Sequence, residues 1–172
     1  MFQDEARFGR ITEARRCWAP EDMRPCVPAQ FVREYTHAFA AVSPHDGTLD
    51  SLVLPEVNAE VMSLFLGELA RRHAHEFILL VLDGAGWHTP TDLAIPENIR
   101  LLRLPPYSPE LNPVEHLWDE LREKWFQNCV FQDLAAVENR LVGALAALER
   151  DPQRVRNLTA FPWIICNSMN AT

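Results

Sequence analysis

Lysine is almost missing from this chain. Lys124 is the only one, and arginine supplies the rest of the 16 basic residues. Acidic residues number 24, so the formal net charge is −8, which argues against a protein held to nucleic acid by bulk electrostatics. It does not exclude a site that needs carboxylates of its own and confines basic residues to one face. Cysteine pairing is missing too. Cys17, Cys26, Cys129 and Cys166 form no C-x-x-C pair, which excludes a zinc half-site, and all four are expected reduced and structural. No apolar run approaches a membrane span, and no charged-then-apolar leader opens the chain. Repeats and low-complexity segments are absent. The expectation is a soluble, cytoplasmic protein.

What is present suits a folded domain. The chain has 172 residues, 48% of them apolar, and is expected to form one domain over 1–172. A first strand is expected over Met1 to Ala6, followed by an extended excursion to Pro28 with a second strand near Arg16 to Trp18. Strands over Tyr35 to Val42 and Thr48 to Leu54 flank an Asp46-Gly47 hairpin turn. Asn58 caps a helix whose Met62, Phe65, Leu66, Leu69 and His73 share one face. Phe77 to Leu82 is six apolar residues without alternation, the pattern of a parallel strand buried on both faces. Ile99 to Leu104 is another strand. Val114, Leu117, Trp118, Leu121 and Trp125 form the stripe of a second helix, and Leu134 to Leu148 a last one, after which the Phe161 to Ile165 tail packs back. Early antiparallel strands followed by crossovers make an α/β protein, a mixed sheet with helices on its faces.

Three carboxylates stand out against this frame. Asp83 directly follows the apolar run, at the carboxyl end of a buried strand, where ligand sites of open α/β sheets lie. Asp4 and Glu5 are adjacent in a strand and point to opposite faces, so either one faces the cleft mouth. Glu115 follows the stiff Leu104 to Pro113 loop. With Asn112 as N-cap and Pro113 at the first helical position, it occupies the reaching-back place of a capping box. It also sits ~100° from the centre of the helix's apolar stripe, able to look into a cleft. Cap and metal ligand compete for that one side chain. Carboxylates from three elements suit hard divalent cations, which take oxygen ligands and keep waters. His73 and His75 do not share a helix face, which disfavours zinc. His88 and His116 lie near the cleft in sequence, as groups that orient a carboxylate, contact phosphate, or simply hold structure.

Phe-Gln-Asp-Glu-Ala-Arg-Phe-Gly at 2–9, Val-Leu-Asp-Gly-Ala-Gly-Trp-His at 81–88 and Leu-Pro-Pro-Tyr-Ser-Pro-Glu-Leu-Asn-Pro-Val-Glu-His-Leu-Trp at 104–118 resemble the DDE transposases of bacterial insertion sequences related to the mariner elements. The resemblance covers nearly the whole chain. It implies an RNase H-like fold, a five-stranded mixed sheet with helices on both faces. It also implies Asp4, Asp83 and Glu115 as the catalytic, metal-binding triad, with Asp4 rather than Glu5 as the ligand and Glu5, His88 and His116 as accessory candidates. Two Mg2+ or Mn2+ ions would serve cleavage at the element's ends and strand transfer into target DNA. The partners implied are DNA and a second copy of the chain, and the location is the nucleoid when DNA is bound. Family members carry helix-turn-helix modules before the catalytic domain. Only three residues precede Asp4 here, so the expectation is a catalytic half served by an upstream DNA-binding segment or partner reading frame. The rival readings are a folded but inactive remnant and a repurposed RNase H-like nuclease.

Overall fold

The computed structural model describes residues 1–12, 14–84 and 93–169. Five strands form one sheet in the order β3-β2-β1-β4-β5. The first strand, β1 (Phe2–Ile11), runs well beyond the expected Ala6. It pairs antiparallel with β2 (Phe31–Val42) from Phe2↔Val42 to Ile11↔Phe31. Arg7, Gly9 and Arg10 read as turn residues in the sequence, but they lie in this two-stranded ribbon. Phe8 is buried beneath it, and the ring of Tyr35 crosses Gly9. A Cβ at Gly9 would lie 2.3 Å from Tyr35 Cδ1, so only glycine fits there. The strand expected near Arg16 to Trp18 is not formed; the described residues between β1 and β2 hold one turn and no strand.

β2 pairs antiparallel with β3 (Leu49–Leu54) through the hairpin read from Asp46-Gly47. Gly47 has φ 81°, and a Cβ there would lie 2.0 Å from Pro152 O, so both conformation and packing demand glycine. The helix α1 (Ala59–Arg72) then crosses to β4 (Ile78–Leu82), with Asn58 Oδ1 accepting from Val61 N at 2.9 Å as its cap. β4 is parallel to β1, through Phe2↔Val81, and to β5 (Ile99–Arg103) along its length.

The helix α2 (Val114–Leu121) follows a short 3-10 turn at Pro109–Leu111 and runs on into a π-helical turn at Arg122–Phe126. The helix α3 (Leu134–Glu149) is capped by Asp133, whose Oδ1 accepts from Ala136 N at 2.7 Å. Two further helices, α4 (Pro152–Thr159) and α5 (Pro162–Met169), stand where a single tail was expected.

Alternation sorts the core into two layers. Phe39 and Ala41 of β2 and Ile78, Leu80 and Leu82 of β4 pack on Met62, Phe65, Leu66 and Leu69 of α1. Ala6, Phe8, Ala38, Ala40 and Val42 pack on Val114, Leu117 and Trp118 of α2 and Leu141 and Leu145 of α3. Helices thus cover both faces of the five-stranded mixed sheet. One expectation needs correction: β4 is not buried on both sides. Leu79 is 50% exposed, because α2 and α3 cover the β1–β3 part of their face and leave β4 and β5 open. His73, expected on the apolar face of α1, instead ends the helix and bonds Asp50 and Glu76.

Candidate active site

Asp4 lies on the α2 side of β1, the side of Phe2, Ala6 and Phe8, and Glu5 on the other. Its carboxylate accepts a hydrogen bond from Trp118 Nε1 at 2.9 Å. Trp118 is 1% exposed, and a buried indole N–H needs such a partner. Asp83 follows the last residue of β4. Beside it Leu104 N donates to Leu82 O at 2.8 Å, which brings the proline loop alongside. Glu115 occupies the first turn of α2, half-buried.

The capping box expected around Glu115 is not made. Asn112 N donates to Pro109 O at 2.9 Å, so no amide is left for Glu115 to reach. The regular helix is assigned from Val114, with Pro113 already in helical conformation, and Asn112 is extended and caps it as expected: its Oδ1 accepts from Val114 N at 3.2 Å. The other half of the same amide reaches further, Nδ2 donating to Gln3 O at 3.0 Å in a buried setting. One amide therefore ties the residue before Asp4 to the turn that carries Glu115.

These elements enclose a cavity of about 460 Å³ lined by Asp4, Asp83 and Glu115 together with Pro105, Pro106, Tyr107, Pro109 and Asn112. No lysine, arginine or histidine is among the described residues that line it. Burial first, then the negative charge of Glu115, pushes the Asp4 carboxyl up to about 7 from 3.8, with Glu5 adding to the rise and the Trp118 bond opposing it. Tyr107 stands fully exposed at the rim with φ 58°, a left-handed conformation set between two prolines and the 3-10 turn.

The three expected carboxylates are brought to one cavity, but ring it rather than meet at a point. Among the described residues no three acidic, imidazole or thiol groups are close enough to hold one ion by themselves. Glu5 does not line the cavity, and acts on Asp4 through its charge, which raises the carboxyl, and through its backbone N–H, which lowers it. His116 is turned away: it is exposed, with its ring edge-on to Phe161 at 4.9 Å. His88 lies outside the described residues. Trp118 and Asn112 were legible only as stripe and cap. A buried tryptophan one helical turn beyond Glu115 was the available signal for a donor near the site.

The pattern of the DDE superfamily endonucleases matches residues 1–138. The chain belongs to that family. A protein of Sinorhizobium fredii (strain NBRC 101917 / NGR234), known as Uncharacterized protein y4pE/y4sA, is 37% identical over 132 residues, which is 75% of this chain and 96% of that protein. Among solved structures, the Mos1 mariner paired end complex with Mn is similar with a TM-score of 0.64 at 18% identity, over 91% of this chain and 52% of that one. A pre-cleavage Mos1 transpososome is similar with a TM-score of 0.62 at 16% identity, over 99% of this chain and 55% of that one. At these identities the likeness shows the fold, the RNase H-like sheet described above. The endonuclease chain spans about half the length of those solved chains.

Proposed function

We propose that this chain is the catalytic part of a DNA transposase, cutting a DNA strand and joining the freed end to a target by phosphoryl transfer at Asp4, Asp83 and Glu115. One observation carries the reading. Carboxylates from a strand, a strand end and a helix start line one cavity, and the charge of Glu115 is felt at Asp4. Such a donor set fits Mg2+ or Mn2+, which bind oxygen, tolerate one or two protein carboxylates each, and keep waters. When bound, a pair of such ions supplies water activation and stabilisation of the leaving oxygen. The similar structures support the reading, since they are a paired end complex with Mn, one with Mg, and a strand transfer complex.

The chain's own residues have distinct parts in this. The Trp118 N–H fixes the Asp4 carboxylate at the cavity wall. Asn112 sets the distance between the Asp4 strand and the Glu115 turn. Asp83 comes from the end of β4, and the prolines wall the opposite side. Among the described lining residues no histidine or lysine stands beside the hydroxyls of Tyr107 and Ser108, and Ser108 Oγ donates to Pro106 O at 3.3 Å. In this reading water is the attacking group for the first cut, and a freed 3′-hydroxyl the second. Two copies acting on paired ends, and an upstream DNA-binding segment, belong to the same reading.

The test is Mn2+-dependent nicking of a supercoiled plasmid that carries the element's ends, comparing the chain with Asp83→Asn, alone and fused to an upstream DNA-binding segment. Nicking that falls at least 100-fold in Asp83→Asn is the expected result. Equal cutting by both places the activity elsewhere, and no cutting in either form, fused or not, identifies an inactive remnant.

A further inference from the structure

The net charge of this chain is negative, yet its basic residues are not evenly spread. β1 pairs with β4 only through Phe2↔Val81, so from Asp4 to Ile11 its other edge has no strand beside it among the described residues. Along that edge lies a hollow of about 360 Å³ lined by Arg7, Gly9, Ile11, Arg15, Tyr35 and Arg122. Three guanidinium groups from the strand, the loop after it and the π-helical turn share it, and none of these lining residues is acidic. The surface continues past Arg15 to Arg16, Trp18 and Lys124, where Glu123 is the one acid among the described lining residues. Glu123 is 3.6 Å from Arg15, and Glu34 is taken up by Arg10 at 2.6 Å.

Arg7 and Arg122 make no ion pair or hydrogen bond through their side chains with the described residues. Each is held by an aromatic face instead: Arg7 lies 4.4 Å from the Tyr35 ring centroid and Arg122 5.6 Å from that of Phe8. Guanidinium planes fixed on rings keep their N–H groups for an outside acceptor, and arginine's planar fork suits phosphate oxygens. The hollow is also at a useful distance. Arg7 is three residues along β1 from Asp4, ~10 Å at the rise of a strand, and Gly9 five residues, ~17 Å; Arg7 projects to the Glu5 face and Arg122 comes from the Asp4 side, so the two meet across the open edge of the strand. At ~3.4 Å of axial rise per nucleotide of one strand, that is about three to five nucleotides.

We propose that this arginine-lined edge of β1 is the track for the DNA backbone adjoining the cleaved phosphate, with Arg7 and Arg122 as its phosphate contacts. The inference rests on the catalytic reading above for the identity of the polyanion, but not for the contact itself. It also accounts for an acidic protein acting on DNA: arginines are gathered where the strand passes, apart from the carboxylates of the cavity.

The experiment is fluorescence anisotropy with a labelled ~30-base-pair duplex, in EDTA so that no cutting occurs, from 50 to 200 mM salt. The variants are Arg7→Gln/Arg122→Gln, Arg7→Lys/Arg122→Lys, and Arg150→Gln as an exposed control on the loop after α3. Loss of two phosphate contacts lowers the slope of log K against log salt by about 1.8 and weakens binding at least tenfold at 50 mM salt. The lysine pair recovers most of the affinity, and Arg150→Gln binds as the wild type does. Arg7→Gln alone, at an exposed position, gives half the slope change and serves if the double variant does not fold. An unchanged slope in these variants, an equal loss in Arg150→Gln, or no binding by the wild type overturns the proposal. A wild type that binds through Arg7 and Arg122 but never nicks upholds the track and sinks the catalytic reading.

Discussion

An ionised Asp4 is hard to keep in this fold. Its carboxyl is raised to about 7 against an ordinary 3.8, so the folded chain holds the proton more tightly than the unfolded one. Stability from this group is therefore greatest below pH 3.8 and falls as pH rises to about 7, by on the order of 4 kcal/mol. Asp4→Asn removes the charge while keeping an acceptor for Trp118. It is expected to melt several degrees above the wild type at pH 8 without divalent cation, with the gap narrowing towards pH 4, while nicking is lost. Scanning calorimetry at the two pH values checks this, and a gap that does not change with pH would refute it. The Trp118 bond works in the opposite direction, holding the Asp4 value down. Trp118→Phe keeps most of the apolar volume and loses the N–H. The pH at which nicking reaches half its plateau should then move up, with a lower plateau, in a pH–rate profile. Of these residues the sequence shows the carboxylates, through motifs and a strand end. It does not show the Trp118 bond to Asp4, which joins positions 114 residues apart, nor the Asn112 bond to Gln3 across 109. Local propensity carries no information about either.

At the level of elements, the join between α1 and β3 is the one with a built-in pH dependence. Asp50 of β3 is buried, and it receives Arg72 at 3.1 Å and His73 at 2.8 Å from the end of α1, while Glu76 holds the other ring nitrogen at 2.7 Å. Burial alone would lower the His73 value, but the hydrogen bonds and charges of Asp50 and Glu76 outweigh it and leave it above 6.5. Stability from this group is thus fully present below pH 6.5 and is lost as pH rises through the folded value. Against His73→Gln, the wild type should be more stable by about 1 kcal/mol at pH 5.5, and the difference should shrink by pH 9 in urea titrations. A constant difference across that range would show that the ring acts by packing alone. The same join shows where sequence reading succeeds and stops. The apolar period and Asn58 mark α1 because both signals are local. His73 fits the period of the apolar stripe, yet tertiary charge decides its role. The sequence ends β1 at Ala6 for a related reason: Arg7, Gly9 and Arg10 have turn chemistry, and only pairing with β2 makes them strand. Likewise the apolar run of β4 does not reveal that one of its faces stays open, because that depends on where α2 and α3 stop.

For the whole molecule, charge and cation binding are coupled. A chain of net charge −8 that gathers three carboxylates around one cavity and arginines along the neighbouring edge separates its own charges over a short distance. Unfolding disperses the carboxylates, so a divalent cation that binds them stabilises only the folded state. At a concentration 100 times its dissociation constant, such an ion adds about 2.7 kcal/mol. For a chain of this length that is a rise of roughly 5–10 °C in the melting midpoint. Mn2+ and Mg2+ are both expected to produce it in the wild type, and Glu115→Gln to lose most of it. Diffuse screening of the acidic surface is the competing explanation, since any divalent ion weakens repulsion in an acidic protein. It predicts the same rise in Glu115→Gln as in the wild type, because removing one of 24 acidic side chains barely changes the total. Scanning fluorimetry of both proteins at constant ionic strength separates the two, and equal rises would rule against a cation held between the carboxylates.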